Sequence, residues 1–488
     1  MFHGRAAIVK ERASEAMMQA RPFIAGQWQD GVAAAPVHSP GGGPLVTEVR
    51  EAGPAEVEAA IAAAVAALPA GRAPAHERAR WLSAIAAGIG AREAELTAAI
   101  VAEVGKPVDL ARGEVARART TFALAAEEAT RLGGEVVPLD GAAIGAGKLG
   151  LSRRFPRGPV AAITPFNFPL NLAAHKLAPA LACGAPVVWK PAPEAPGTAA
   201  LLCEIALAAG LPSGLLNLVP CSVATAAPLI DDARLRVLSF TGSAAVGWAL
   251  RARCARKQAL LELGGDAFVV VEADADLELA TRKITAGAFA YAGQICISVQ
   301  HVLAHRAIAD ELRQRLVAAA AAVPVGAPAA AGTLVGPLIR SRDAARVADW
   351  ITEATSGGAR VLTGNTRSGD VITPTWLEGV PAGARLAREE VFGPVATLDV
   401  YDDVGAALAR INGSAYGLQA SFFTRDVRTL MRAHETLEVG AVIHDDWPLF
   451  RVDSMPYGGT KASGWGREGV RYAIEEFTEP RLLVLSGR

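Results

Sequence analysis

The 488-residue chain has no Cys-x-x-Cys pair, no His-Glu-x-x-His run and no EF-hand loop. Those absences argue against a zinc or calcium site, and no metal is expected. Its five cysteines, Cys183, Cys203, Cys221, Cys254 and Cys296, are odd in number and widely spaced. That pattern fits free thiols in a reducing compartment, so a cytoplasmic location is expected. Charge of one sign is also missing: 48 Lys and Arg stand against 49 Asp and Glu, a net of -1. Without a basic excess or a block of like charge, no nucleic-acid partner is expected. The longest uncharged stretch, 316–339, is broken by Pro324, Gly326, Pro328, Gly332, Gly336 and Pro337. A bilayer-crossing helix needs about 20 apolar residues in one piece, so no membrane segment is expected. Arg5, Lys10, Glu11, Arg12 and Glu15 stand where a signal peptide would have its apolar core. Residues before Arg21 read as a polar extension, helical or frayed.

What is present is a chain long enough for two or three domains. Residues 23–28 read as a strand, with Gln29-Asp30-Gly31 as its turn. Pro54 opens an alanine-rich helix. Helices follow at 77–89, 92–104 and 108–131, each with apolar residues at spacings of three and four. From Gly158 short apolar strands (160–163, 186–189, 215–219, 237–240, 260–263, 268–271) alternate with helices (170–181, 198–209, 222–230, 244–255). This rhythm predicts a parallel sheet covered on both faces. A second α/β unit begins near Asp266, with helices at 280–290, 307–322 and 340–356. Its strands are expected at 302–304, 360–362, 395–401, 420–423 and 441–444. The apolar end, 481–485, reads as a strand that needs a partner in its own or a neighbouring subunit.

Ligands on parallel sheets bind beyond the carboxyl ends of the strands. Those ends read Thr164-Pro165-Phe166-Asn167, Lys190-Pro191, Phe240-Thr241-Gly242-Ser243 and Glu262-Leu263-Gly264-Gly265. Gly242 to Gly247 follows a strand and opens a helix, where backbone N–H groups could hold a phosphate. The uncharged stretch from Phe289 to Ser298 carries one thiol, Cys296. Alone it reads as a packing cysteine. Beside a strand-end carboxylate (Glu262), an amide (Asn167) and a phosphate-cradling turn, it completes an inventory for covalent catalysis on a carbonyl.

With these motifs the chain resembles the NAD(P)-dependent aldehyde dehydrogenase superfamily over about residues 21–488. Further motifs that carry the resemblance are Gly293-Gln294-Ile295-Cys296, Glu389-Glu390-Val391-Phe392-Gly393-Pro394 and Pro456-Tyr457-Gly458-Gly459. The resemblance implies an α/β fold with a Rossmann-type cofactor domain (21–137 and 152–265), an α/β catalytic domain (266–457) and a small β oligomerisation arm (138–151 and 470–488). It implies a homodimer or homotetramer. Cys296 would be the nucleophile. Asn167 and the Cys296 backbone N–H would hold the oxyanion. Glu262 would activate the thiol and then the hydrolytic water. NAD or NADP would be bound by Thr164, Pro165, Phe166, Lys190, Pro193, Glu194, Gly242, Ser243, Gly264, Glu390 and Phe392. The presence of Glu262 favours hydrolysis over coenzyme A acylation or a reductive reaction. The full set of these residues argues against a non-catalytic binding protein.

Two departures stand out. Where the family often has a ribose-binding Glu, this chain has Pro193, with Glu194 one residue later. Without that carboxylate a 2′-phosphate meets less repulsion, which keeps NADP open beside NAD. The other departure is Asp266, where relatives often have Lys, Asn or Ser. By resemblance the aldehyde tunnel is lined by Arg117, Phe168, Asn171, His175, Ile295, Ile297 and Arg451. Its polar side chains predict a small polar, anionic aldehyde of the semialdehyde, hydroxy- or phospho-aldehyde type. The competing reading pairs Arg451 with Asp453 or Asp445.

Overall fold

The computed structural model describes residues 17–254 and 256–486. Two large sheets organise it. In the first, Gln258–Glu262, Val237–Thr241, Val160–Ile163, Val187–Lys190 and Leu216–Leu218 lie side by side and parallel. Their inner residues are almost wholly buried, as a sheet covered on both faces requires. In the second, Thr375–Glu378, Val395–Tyr401, Val299–His305, Ala267–Val271, Gln419–Phe423 and Ala441–His444 are parallel, with Arg360–Thr363 antiparallel at the edge.

One crossing places the site. Gly464–Trp465, from near the end of the chain, pairs antiparallel with Gln258–Glu262, and Gly464 lies opposite Glu262. Residues 451–468 are thereby carried to the mouth of the first sheet. Tyr457 and Glu468 clasp each other there through both backbone N–H to C=O bonds. The helix Asn171–Cys183 runs beneath them, and every one of its residues is buried.

The structure differs from the sequence expectation at several elements. Residues 23–28 form a hairpin, Phe23–Ile24 with Gln27–Trp28, not one strand. Its turn is Ala25 and Gly26, at φ 51° and 80°. Two positive φ angles suit a tight hairpin turn, and Gly26 supplies one of them without strain. Met18–Ala20 is a strand parallel to Leu45–Glu51, which Ala33–His38 joins from the other side. The rest of the expected N-terminal extension, residues 1–16, lies outside the described residues, as does Ala255. The helix expected at 222–230 shrinks to Ala227–Asp231. A third, antiparallel sheet uses Gly134–Val137, Lys148–Pro156 and Thr478–Ser486. Its boundaries differ from 138–151 and 470–488, because Val470–Phe477 is a helix. Val470, Ala473, Ile474 and Phe477 recur at spacings of three and four and are all buried.

Candidate active site

Cys296 follows a backbone turn that few sequences tolerate. Tyr291, Ala292 and Gly293 are all left-handed, at φ 53°, 53° and 69°. For the first two this stores roughly 1 kcal/mol or more each. Gly293 has no choice, since a Cβ there would stand 2.1 Å from the Gly393 carbonyl oxygen. Gln294 braces the turn: its Oε1 accepts from Ile339 N at 2.9 Å. Ile295 and Ile297 are buried on either side of the thiol. The Cys296 Sγ lies 3.3 Å from the Tyr457 hydroxyl. Burial pushes the Cys296 thiol up to about 12, with the Tyr457 hydroxyl opposing.

Asn167 reaches the same turn. Its Nδ2 donates to the Gln294 carbonyl at 2.9 Å. A primary amide has two N–H donors, so one remains to face the space beside Cys296. Glu262 closes the group. It is 3% exposed, and neither carboxyl oxygen has a hydrogen-bond partner. A Cβ at Gly458 would stand 2.9 Å from its Oε1, so the glycine after Tyr457 makes room for the carboxyl. Burial pushes Glu262 well above the usual carboxylate range, and the Glu468 carboxylate adds to the shift.

Glu468 is itself held far below that range, although burial, its largest influence, acts the other way. Lys176 and Arg451 outweigh it together. Lys176 Nζ donates to Oε1 at 2.9 Å and Arg451 Nη2 to Oε2 at 3.1 Å. All three charged groups are 5% exposed or less. The Arg451 guanidinium also lies 3.6 Å over the Tyr457 ring. Two carboxyl groups pushed in opposite directions, Glu468 down and Glu262 up, therefore share one buried cluster behind the thiol.

Before the thiol, the four strand ends form a groove. Lys190 ends its strand 7% exposed, with Cys221 and Glu51 nearby. Thr164 Oγ1 accepts from the Trp189 indole at 2.9 Å, which ties the Thr164-Pro165-Phe166 loop to the next strand. Gly242 and Ser243 lead into the helix Ala244–Arg253, whose first N–H groups point outward. Gly247 lets this helix approach Leu263, as a Cβ there would be 2.3 Å from its Cδ2. Glu390 accepts from Gly265 N at 3.1 Å and lies against Gly264, where a Cβ would be 2.2 Å from its Oε2. Burial pushes Glu390 up to about 8. Phe392 (φ 46°) meets Phe166 edge to face at 6.1 Å. A cation, a helix N-terminus and a buried carboxylate, set at or against the strand ends of one sheet, fit a dinucleotide with phosphates and a ribose diol.

The family model for the aldehyde dehydrogenase family matches residues 28–483. The chain belongs to the aldehyde dehydrogenase family. It is 41% identical to the 3-sulfolactaldehyde dehydrogenase of Priestia aryabhattai over 88% of this chain and 90% of that protein. Its fold matches aldehyde dehydrogenase 21 of Physcomitrella patens, solved with the reaction product succinate. There the TM-score is 0.95 at 40% identity, covering 97% of this chain and 99% of that one. The NADP-dependent glyceraldehyde-3-phosphate dehydrogenase of Bacillus halodurans, solved with NADP, matches at TM-score 0.94 and 33% identity. That match covers 96% of this chain and all of that chain.

In this aldehyde dehydrogenase the expected substrate residues divide into two sets. Arg117, Asn171 and His175 gather on Asp453. Arg117 Nη2 lies 2.7 Å from Oδ1, His175 Nε2 2.9 Å and Asn171 Nδ2 3.4 Å. Burial pulls His175 down to about 4, so it is neutral at pH 7 and is not a cation for an anionic substrate. Arg117 is neutralised by Asp453. Arg451 stands apart: it pairs with neither Asp453 nor Asp445 but with Glu468. Its Nε is buried and has no partner. Phe168 is half-buried and borders Asn167.

Glu194 also finds a partner of its own, an ion pair with Arg340. It is thereby engaged and does not replace the ribose carboxylate missing at Pro193. Asp266 gains a physical account. Its Oδ1 lies 2.7 Å from His301 Nε2, both residues buried, and its Oδ2 accepts from half-buried Ser414 at 2.9 Å. Sequence reasoning passed over Lys176 and Glu468 and gave Tyr457 no role. Lys176 could have been found as a lone ammonium on an otherwise apolar, fully buried helix, where a charge requires a partner. Glu468, between Arg467 and Gly469, carries no local signal.

Proposed function

We propose that the chain oxidises a small anionic aldehyde to its carboxylate through a Cys296 thioester. The observation that carries the anionic part is the cluster behind the thiol. Lys176 and Arg451, both buried, are paired with the single carboxylate of Glu468, so two cations meet one paired anion there. Arg451 brings a positive charge to the ring that touches the thiol, with its Nε free. The relatives named above act on aldehydes that carry a sulfonate, a carboxylate or a phosphate, which supports the same class.

The steps follow from the side chains. Glu262 first gives up its own proton to solvent, and the Cys296 sulfur then bonds to the aldehyde carbon as the thiol proton passes to the Glu262 carboxylate. The carbonyl electrons move to oxygen, where the free Asn167 N–H and the Cys296 backbone N–H hold the charge. NAD(P), when bound, accepts the hydride from that carbon. A thioester remains. Glu262 passes the first proton to solvent and then takes one from water, whose oxygen bonds to the carbonyl carbon; the C–S bond breaks, the acid departs, and the Cys296 thiolate regains a proton.

A panel of neutral and acidic aldehydes, read by reduced-cofactor absorbance, tests the substrate class. The parent enzyme should prefer acidic members, and Arg451→Leu should reduce that preference in kcat/KM by roughly 10-fold or more, the worth of a desolvated charge contact. An unchanged preference in a folded variant would remove the anionic reading. Cofactor choice follows from Pro193. With Glu194 engaged by Arg340, no carboxylate opposes a 2′-phosphate. Pro193→Glu should lower the NADP-to-NAD ratio of kcat/KM by about 10-fold or more. An unchanged ratio would show that discrimination lies elsewhere.

The third sheet supports a homodimer or homotetramer. Leu482, Leu483, Val484 and Leu485 are all about half exposed on its terminal strand, beside exposed Leu149 and Val136. That is an apolar surface of the kind subunits cover. Among the described residues no helix is long and apolar enough to cross a membrane.

A further inference from the structure

Another buried ion pair, Lys106 with Glu114, touches the segments that lead to Asn167 and Cys296, and the chemistry above makes no use of it. Lys106 sits between the helices Glu93–Val104 and Val108–Arg131 and is fully buried. It pairs with Glu114, which is also buried. Burial pulls Lys106 down to about 8, with Glu114 opposing, so the ammonium persists at pH 7. A buried pair of this kind is a weak source of stability, because desolvation offsets most of the attraction. Its contacts indicate another use.

Each member touches a segment that carries an oxyanion donor. Lys106 Nζ lies 3.5 Å from the centre of the Phe168 ring, the residue after Asn167. It lies 5.0 Å from the centre of the Tyr291 ring, the first residue of the left-handed turn into Cys296. The Tyr291 hydroxyl donates to the Val104 carbonyl at 2.8 Å, two residues before Lys106. Glu114 Oε1 accepts from Leu170 N at 2.9 Å and Asn171 N at 3.1 Å, which fixes the start of the helix that follows Asn167. One ammonium therefore bridges the ring beside Asn167 and the ring that begins the strained turn. Cation–ring contacts strengthen in a dry site and are of the size needed to hold one or two left-handed residues.

We propose that Lys106 and Glu114 are positioning residues for the oxyanion pocket, setting the spacing between the Asn167 amide and the Cys296 backbone N–H. This rests on the assignment of Asn167 as an oxyanion donor. A shift of about 1 Å in such a pocket costs on the order of 100-fold in rate.

The test is a cycle of variants. Lys106→Met alone leaves Glu114 buried and unpaired, so Lys106→Met/Glu114→Gln is made instead. The amide oxygen can still accept from Leu170 N. With Asn167 intact, this pair variant should lose about 10- to 100-fold in kcat. Its aldehyde KM, and its NADPH affinity by fluorescence titration, should stay within about twofold of the parent. In an Asn167→Ala background the same change should cost less than about threefold, because groups acting as a unit are not additive. An equal loss in both backgrounds would show a merely structural pair and overturn the proposal. So would an undiminished kcat, or a pair variant that does not fold. Asn167→Ala alone with parental kcat would sink the oxyanion assignment itself, an outcome separate from these.

Discussion

Glu262→Gln should give one equivalent of reduced cofactor per Cys296 and then almost nothing. The amide is close in volume to the carboxyl it replaces. It cannot take a proton from water, so the thioester forms and persists. General-base loss costs about 100- to 10,000-fold in such a step. The burst requires that hydride transfer outlast the substitution. In its favour, the oxyanion donors we propose, Asn167 Nδ2 and the Cys296 N–H, are not hydrogen-bonded to Glu262. Burial and the nearby Glu468 carboxylate both push Glu262 toward its neutral form, so the neutral amide perturbs the resting cluster little. Stopped-flow absorbance separates burst from steady state. A variant that loses burst and steady state equally would assign Glu262 to thiol activation alone. One that keeps both would remove it from the mechanism.

The second large effect is on the thiol itself. Burial pushes Cys296 up to about 12 in the free enzyme. The thiolate is the nucleophile, so at pH 7 only about 1 part in 100,000 is reactive. Alkylation of Cys296 by iodoacetamide should rise roughly 10-fold per pH unit from pH 7 to pH 10, with no plateau. The sign follows from the shift: a raised pKa leaves the neutral form dominant until the pH approaches it. Cys183 and Cys203 are pushed up by burial as well, and both are fully enclosed. They should stay unlabelled, which peptide mapping checks. A plateau below pH 9 would mean that the free enzyme already stabilises the thiolate, against the apolar setting of Ile295 and Ile297.

Much of this was legible in the sequence for a physical reason. The strand-end motifs are local: Lys190 and Glu262 each end a strand, with Pro191 and Gly264 close behind, and Ser243 lies two residues past Thr241, just after Gly242. The buried strands read as apolar runs because both faces are covered. What escaped was non-local. Tyr457 meets the thiol, and Glu468 joins the cluster behind it, because Gly464–Trp465 pairs with the strand of Glu262, roughly 200 residues earlier. Asp453 neutralises Arg117 from across the fold, so three polar residues that read as an anion site proved to be partners of one carboxylate. The arm was misplaced because a short amphipathic helix, Val470–Phe477, precedes the terminal strand without a Gly or Pro between them.

The most direct measurement is the mass of the Cys296 peptide. Glu262→Gln enzyme is mixed with an acidic aldehyde and NADP, quenched in acid and digested. The mechanism predicts that this peptide gains the mass of the acyl group, in step with the burst, and that Cys296→Ala enzyme gives neither burst nor adduct. A burst with an unmodified Cys296 peptide, an acyl group on another residue, or turnover in Cys296→Ala would contradict it.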